Sequence, residues 1–232
     1  MKIHDVAQCS VDWEILRAGK ITASEMDALI TPAGKVRTGE GVKTYLTKKV
    51  AERWLGGPLP SANFWDGEQG QFLEEIAKPA FTLQTGREIR NVGFITTDDD
   101  QVGCSPDGLL DEDTGLEIKC PHVETHIRYL LDHRLPLDYV AQVQGSMFVT
   151  GYSKWIVCSF RRNFPLFSFA VYRDAEFQDE LAEAIESFQG SLAEAMSELT
   201  RLNGGPPKHK ASYYPPLPNL KPITTQLVDI IP

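Results

Sequence analysis

Apolar residues along the 232-residue chain recur with two different periods, and the change of period divides the sequence into blocks. Over the first 56 residues the spacing reads as helical. Ser10 precedes Trp13, Ile15 and Leu16, and Thr22-Ala-Ser-Glu25 has the form of a capping box before Met26, Leu29 and Ile30. Pro32 to Gly41 is a glycine-rich basic loop. Tyr45, Leu46, Val50 and Trp54 then predict a helix over 42–55, stopped by Gly56-Gly57. After a connector at Pro58–Asn63, a further helix is expected over 66–84, with Pro79 as a kink or an early end.

From Glu88 the period falls to two. Ile89, Val92 and Phe94-Ile95 alternate within 87–97, and 103–120 reads as two short strands around Asp111–Gly115. Helices are expected at 122–132 and 138–149, then a strand pair at 155–160 and 167–172. A long helix over 176–202 carries Phe177, Leu181, Ile185, Phe188, Leu192, Met196 and Leu199 on one face. This order predicts one mixed α+β domain over 1–203, followed by a proline-rich tail at 204–232 lying over its surface.

Composition narrows the class. No apolar run exceeds four residues, so neither a membrane span nor a secretory signal is expected. The four cysteines lie far apart without a CxxC pair, which suits a reducing cytoplasm and argues against a zinc ribbon. A net charge of −9 argues against a protein that merely coats nucleic acid. It leaves a nuclease open, because metal-dependent sites are built from carboxylates.

The chemistry concentrates in Cys104-Ser-Pro-Asp107 through Glu117-Ile-Lys119-Cys-Pro121. If Asp111 pairs with Gly115, Asp107 faces Lys119, Leu109 faces Glu117, and Asp107 and Glu117 become diagonal neighbours. Strand alternation then projects Asp107, Glu117 and Lys119 from one face and turns Cys104, Ile118 and Cys120 toward the core. Two carboxylates on one face repel unless a cation lies between them, and an all-oxygen site suits Mg²⁺ or Mn²⁺. Lys119 beside that ion is placed to orient a water for attack on phosphorus. A third carboxylate comes from the helix over 66–84. Phe72, Leu73, Ile76, Ala77, Ala80, Phe81 and Leu83 cover one half of it; Glu74 lies at the edge of that half and Glu75 further away.

These residues fit the PD-(D/E)xK nuclease pattern, and the chain resembles the lambda-type phage exonucleases, or YqaJ-like viral recombinases, within it. Four blocks carry the resemblance: Trp13–Arg17 with Ile21–Glu25; Gly70–Glu74; Cys104–Gly108 with Leu116–Pro121; and Tyr139–Gln144 with Ser146-Met147. The resemblance implies a restriction-endonuclease-like core, a central mixed sheet flanked by helices. It implies a 5′-to-3′ exonuclease on double-stranded DNA that releases mononucleotides and leaves a 3′ single strand. Asp107, Glu117 and the Ile118 carbonyl would bind metal, two Mg²⁺ ions per site. Lys119 would position the water, with Glu74 completing the metal site and Gln142 beside it. Arg17 and Ser24 would hold the terminal 5′-phosphate, and Ser105 would contact the DNA backbone. A ring-shaped homotrimer and a single-strand-annealing partner are also implied.

Outside those blocks the signals are weaker. Lys35 and Arg37 in the basic loop are further candidates for DNA contact. His122 and His126 have a zinc-compatible spacing, but Glu124 does not make an HExxH motif, and both read as surface histidines. No P-loop is present. The alternatives to the exonuclease are a restriction or repair endonuclease with the same hairpin, and a non-catalytic DNA-end-binding module.

Overall fold

The computed structural model describes residues 1–59, 64–134 and 136–207, with the backbone alone over 64–71. In chain order the elements are β1 (Lys2–His4), α1 (Val11–Arg17), β2 (Ile21–Thr22), a 3₁₀ helix (Ala23–Ala28), α2 (Glu40–Leu55) and α3 (Phe64–Thr85). Next come β3 (Phe94–Thr96), β4 (Val102–Cys104), β5 (Gly108–Leu109), β6 (Thr114–Lys119) and α4 (Val123–Asp132). A 3₁₀ turn (Leu137–Tyr139) leads into α5 (Val140–Thr150), then β7 (Lys154–Ser159), β8 (Phe167–Tyr172) and α6 (Ala175–Asn203). The mixed α+β class is as the patterning indicates. The strands form two four-stranded mixed sheets, ordered β1-β3-β4-β2 and β5-β6-β7-β8, with helices packed around them. A backbone bridge between Arg90 and Leu109 joins the first sheet's approach to the second.

Three expectations are corrected. The first 56 residues are not all helical, because Lys2–His4 pairs antiparallel with Phe94–Thr96 and Ile21-Thr22 runs parallel to Val102-Gly103. Partners 81 to 94 positions away decide those strands, and tertiary pairing overrides local spacing. Thr22 therefore ends a strand, and its hydroxyl bonds the Glu25 carboxylate at 2.9 Å instead of capping a backbone N–H. Pro79 neither ends nor shortens α3, which runs through it. Both Pro79 and Glu75, whose carbonyl loses its helical partner, lie on the exposed side, where water can serve that carbonyl. On the same helix Ala77 and Phe81 are buried, whereas Phe72 and Leu83 are exposed, so the apolar arc is wider than the surface it covers.

The third correction concerns the hairpin. Gly108 pairs with Leu116 and Leu109 with Gly115, two positions away from the expected register. The Asp111 side chain accepts the Asp113 N–H, closing a tight turn, and Leu110 N–H bonds Thr114 O at 2.9 Å. Thr114 thereby starts β6 and pairs with Lys154 of β7. Continuing the ladder sets Asp107 opposite Glu117 instead of Lys119. A shift of two keeps every side chain on its face, so the shared face of Asp107, Glu117 and Lys119 survives the change.

Two apolar clusters hold the elements. The larger joins α6 (Phe177, Leu181, Ile185, Phe188, Leu192) to Tyr45 of α2, Met26, Trp155 and the α5 residues Ala141, Val143 and Met147. The smaller joins Ala77 and Phe81 of α3 to Leu116, Ile118, Ile156 and Cys158. It presses α3, and hence Glu74, against the back of β6. The expected strand pair and long helix occur as β7, β8 and α6. Most of the expected tail, 208–232, and the connector positions 60–63 lie outside the described residues.

Candidate active site

β6 ends in Glu117-Ile-Lys119, and alternation places Glu117 and Lys119 on the face that α5 covers. Glu117 is 5% exposed. Its Oε1 accepts from Lys119 Nζ at 2.8 Å and from Gln142 Nε2 at 2.6 Å. Lys119 Nζ also donates to Gln142 Oε1 at 3.0 Å and lies 5.0 Å from the Tyr139 ring centroid. Lysine, glutamate and glutamine thus form a closed triangle, with an aromatic face behind the ammonium.

Asp107 follows Pro106 at the start of the hairpin and is buried, accepting the Ile118 N–H. Gln8 donates to the carbonyls of Val92 and Pro106, at 2.9 and 2.8 Å, and so fixes the strand approach to Asp107. In a strand the N–H and C=O of one residue face the same edge. Leu116 O accepts from Asp107 N and Lys119 O from Phe160 N, on opposite edges. The Ile118 carbonyl therefore opens on the Asp107 edge. Glu74 of α3 is half-buried and Glu75 exposed, and both border a cleft of about 620 Å³ with Lys78, Gln8 and Asn91.

The electrostatics of this cluster are those of crowded acids. Burial, then the Glu117 carboxylate and Glu74, push Asp107 well above the usual carboxylate range. Burial and Glu117 raise Glu74 in the same way. Burial works against the Lys119 charge, but Glu117, Asp107 and Glu74 outweigh it and raise its pKa. A hard cation would relieve this repulsion, and the donors are oxygens throughout. Among the described residues no three His, Cys, Asp or Glu side chains close around one point. The set therefore fits an ion held by two carboxylates and a backbone carbonyl, with further positions left to water or phosphate.

A second cluster lies beside the first. The Ser10 hydroxyl caps α1 by accepting Trp13 N–H, and α1 ends at Arg17. The Arg17 guanidinium stacks 4.0 Å from the Trp13 ring centroid and donates to Ser24 Oγ at 3.2 Å. Trp13 Nε1 donates to Ser105 Oγ at 2.9 Å. Arg17, Ser24 and Ser105 are thus joined through Trp13, and Ser105 stands two residues before Asp107. Burial pushes the Arg17 pKa down, opposed by Glu25, so an anion at this corner would favour the charged guanidinium. Gly145 lets α5 lie against the 3₁₀ helix: a Cβ there would meet Met26 Cγ at 2.6 Å. That contact sets Gln142 and Ser24 in one frame. Residue pattern alone did not single out Trp13 as the joint, since it reads there as a helix-core aromatic.

Residues 12–153 match the family model of the YqaJ-like viral recombinase domain. The chain belongs to that family. This YqaJ-like chain is similar to an alkaline exonuclease, LHK-Exo, from Laribacter hongkongensis. The likeness has a TM-score of 0.75 at 25% identity, covering 84% of this chain and 98% of that one. The same exonuclease in complex with dAMP matches at 26% identity and the same TM-score and coverage. A phage-related exonuclease from Haemophilus somnus 129PT shares the fold, with a TM-score of 0.60 at 15% identity over 78% of this chain and 96% of that one. No curated protein sequence matches the chain. The architecture of this YqaJ-like chain is accordingly restriction-endonuclease-like.

The remaining sequence candidates lie apart from these two clusters. Lys35 is exposed and borders a cavity with Asp174, Glu176 and Glu180. Val140 and Gln144 of α5 line that cavity, about 200° around the helix from Gln142, hence on its opposite side. Arg37 is exposed beside Lys43 and Ser187 in a groove between α2 and α6. His122 is exposed, but His126 corrects the surface reading. It is fully buried, with Nδ1 2.8 Å from Ser159 Oγ and Nε2 3.1 Å from Pro165 O. The α4 spacing that suggested zinc turns His126 inward as a staple to β7.

Proposed function

We propose that this protein is a metal-dependent exonuclease that degrades one strand of duplex DNA from the 5′ end. It releases mononucleotides and leaves a 3′ single strand, which a single-strand-annealing partner uses in phage recombination. The observation that carries this reading is the bond from Trp13 to Ser105. It joins the Arg17–Ser24 corner to the Asp107–Glu117–Lys119 cluster, so an end-recognition site and a hydrolytic site share one frame. An endonuclease would have no use for that adjacency. The alkaline exonuclease similar to this chain supports the same activity class.

Asp107, Glu117 and the Ile118 carbonyl would hold Mg²⁺, or Mn²⁺, with Glu74 alongside for a second ion. The metal would supply Lewis-acid polarisation of the phosphate and a more acidic water. Lys119, anchored by Glu117 and Gln142, orients that water and faces the charge developing on phosphorus. Arg17 and Ser24 hold the terminal phosphate, and Ser105 holds the backbone next to it. No described helix is long and apolar enough to cross a membrane, and the host cytoplasm, where duplex ends arise, is the proposed site of action. A −9 chain that tracks a polyanion benefits from a closed ring that gathers its few cations inward, so we assign a homotrimer.

The test uses end-labelled linear duplexes, with 5′-phosphate or 5′-hydroxyl, and closed circles, each with Mg²⁺. Degradation of linear DNA from 5′-phosphorylated ends, with intact circles, is expected. Cleavage of circles would establish an endonuclease, and binding without hydrolysis an end-binding module. Light scattering should give a mass near three times 25.9 kDa.

A further inference from the structure

The segment from Arg17 to Glu25 passes from the end of α1 through a three-residue turn and the two-residue β2 into the 3₁₀ helix, yet it must present a guanidinium and a hydroxyl in fixed relation. What holds it is one face of α2. Gly19 adopts φ +73°, and its peptide is gripped from both sides. Its N–H donates to Glu52 Oε2 at 2.8 Å, and its carbonyl accepts Arg53 Nε at 2.8 Å. A Cβ at Gly19 would stand 2.5 Å from Arg53 Cγ, so the fit admits no larger residue without movement of that side chain. Arg53 also donates to Gln101 Oε1 at 2.6 Å, and Gln101 O accepts Ile21 N–H. At the other end of the segment, Glu25 meets Lys49 at 2.8 Å and is also bonded by Lys48. Lys49 bonds Glu52 at 3.0 Å, closing the network, and Tyr45 OH accepts Thr22 N–H at 3.4 Å. Lys49 and Glu52 are 2% and 5% exposed. Buried ion pairs of this kind contribute little net stability, because desolvation offsets their attraction. Their return is geometric.

We propose that this face of α2, acting through Glu52 and Arg53, is a positioning device that sets Arg17 and Ser24 to receive a terminal 5′-phosphate. The inference rests on the phosphate role proposed above for those two residues. Neither Glu52 nor Arg53 touches DNA in this scheme; they act through the Gly19 peptide. Loss of either grip lets the end of α1 drift relative to Ser24. A displacement of about 1 Å in a positioned group can cost on the order of 10²-fold.

The experiment compares digestion rates on 5′-phosphorylated and 5′-hydroxyl duplexes by the full chain and its variants. Glu52→Ala removes the Gly19 acceptor but leaves Lys49 paired with Glu25. Glu52→Gln keeps an acceptor, and Arg53→Met removes the second grip from a less buried position. Glu52→Ala and Arg53→Met should each cut the phosphate preference about 10-fold, mostly by slowing the phosphorylated substrate, while Glu52→Gln retains it. A merely structural role would slow both substrates alike, and that result would overturn the inference. If both variants keep the wild-type preference while Arg17→Ala loses it, the positioning role is wrong and the phosphate reading stands. If Arg17→Ala itself keeps the preference, the phosphate reading fails and takes this inference with it.

Discussion

The acidic cluster and the Arg17 corner are built in opposite ways although Trp13 and Ser105 join them. At the hairpin, Asp107, Glu117 and Lys119 come from one stretch of chain, and strand alternation alone gathers them. Their surplus is negative, and burial raises the pKa of Asp107 and Glu74. At the corner, Arg17, Ser24 and Ser105 come from α1, a 3₁₀ helix and the β4–β5 connection. A buried network on α2 holds the first two in place. Here the opposite pressure operates: burial lowers the Arg17 pKa. One region calls for a cation and the other for an anion. The proposed metal ion beside a terminal phosphate would answer both.

Removing the group proposed to act on the reacting water should separate the regions most sharply. Lys119→Ala is expected to slow hydrolysis by about 10²- to 10⁴-fold while DNA binding in Mg²⁺ persists. Near-normal turnover would show that the ammonium serves only to neutralise Glu117.

The second expectation concerns the metal and its pH dependence. Asp107 holds its proton above the usual carboxylate range, so an incoming ion must displace that proton. Affinity therefore rises with pH through this raised pKa. A metal at 100 times its Kd stabilises the fold by about 2.7 kcal/mol. The Mg²⁺-induced rise in melting temperature should accordingly be larger near pH 8.5 than near pH 6. Asp107→Asn should shrink the difference to what the raised Glu74 still contributes, and an equal shift at both pH values in the unmodified protein would remove the ion from this cluster.

At the corner the effect is smaller and selective. Arg17→Ala should cost about 10-fold to 100-fold on 5′-phosphorylated ends, the worth of a charge-assisted bond of roughly 1.5–3 kcal/mol. It should cost much less on 5′-hydroxyl ends. Equal slowing of both would make Arg17 a structural or general backbone contact.

The same contrast explains what could be read from the sequence. The hairpin face was legible because parity is local and survives a register error of two. The register itself was not, because the Asp111 side chain chooses the turn, and that bond is invisible in the hydrophobic pattern. At the corner, no periodicity relates Arg17 to Ser105; only the family resemblance brought them together. Thr22 and Glu25 looked like a cap because their spacing is that of one, yet parallel pairing with β4 claims Thr22. His126 misled for a related reason. The spacing of α4 did not reveal that the loop before β8 would cover its ring.

His126 also offers a stability test remote from both regions. Burial lowers its pKa, so the fold favours the neutral ring. The penalty is absent above the unfolded value of about 6.5 and grows as pH falls through the lowered folded value. Acidification from about pH 7.5 to 5.5 should lower the melting temperature by about 2–4 °C per kcal/mol of this penalty. His126→Gln, which can serve both Ser159 and Pro165, should remove that part of the slope. An unchanged slope would mean that the ring charges without penalty in the folded protein.

The smallest effect is expected at the basic loop, and it tests whether charge alone draws DNA to this acidic chain. Lys35 and Arg37 are cationic side chains like Arg17, and composition cannot rank them. The fold can. Lys35 shares its cavity with Asp174, Glu176 and Glu180, which already supply negative charge. The α5 helix stands between that cavity and Gln142. Arg37 borders the groove between α2 and α6. Each phosphate contact contributes about 0.9 to the slope of log affinity against log salt. Lys35→Ala should therefore leave the salt slope intact and change the rate by less than about 2-fold, whereas Arg17→Ala should lower the slope by about one contact. A slope reduced equally by Lys35→Ala would place DNA across the far side of α5. The path of the duplex would then have to be redrawn, while the chemistry proposed at Lys119 would be untouched.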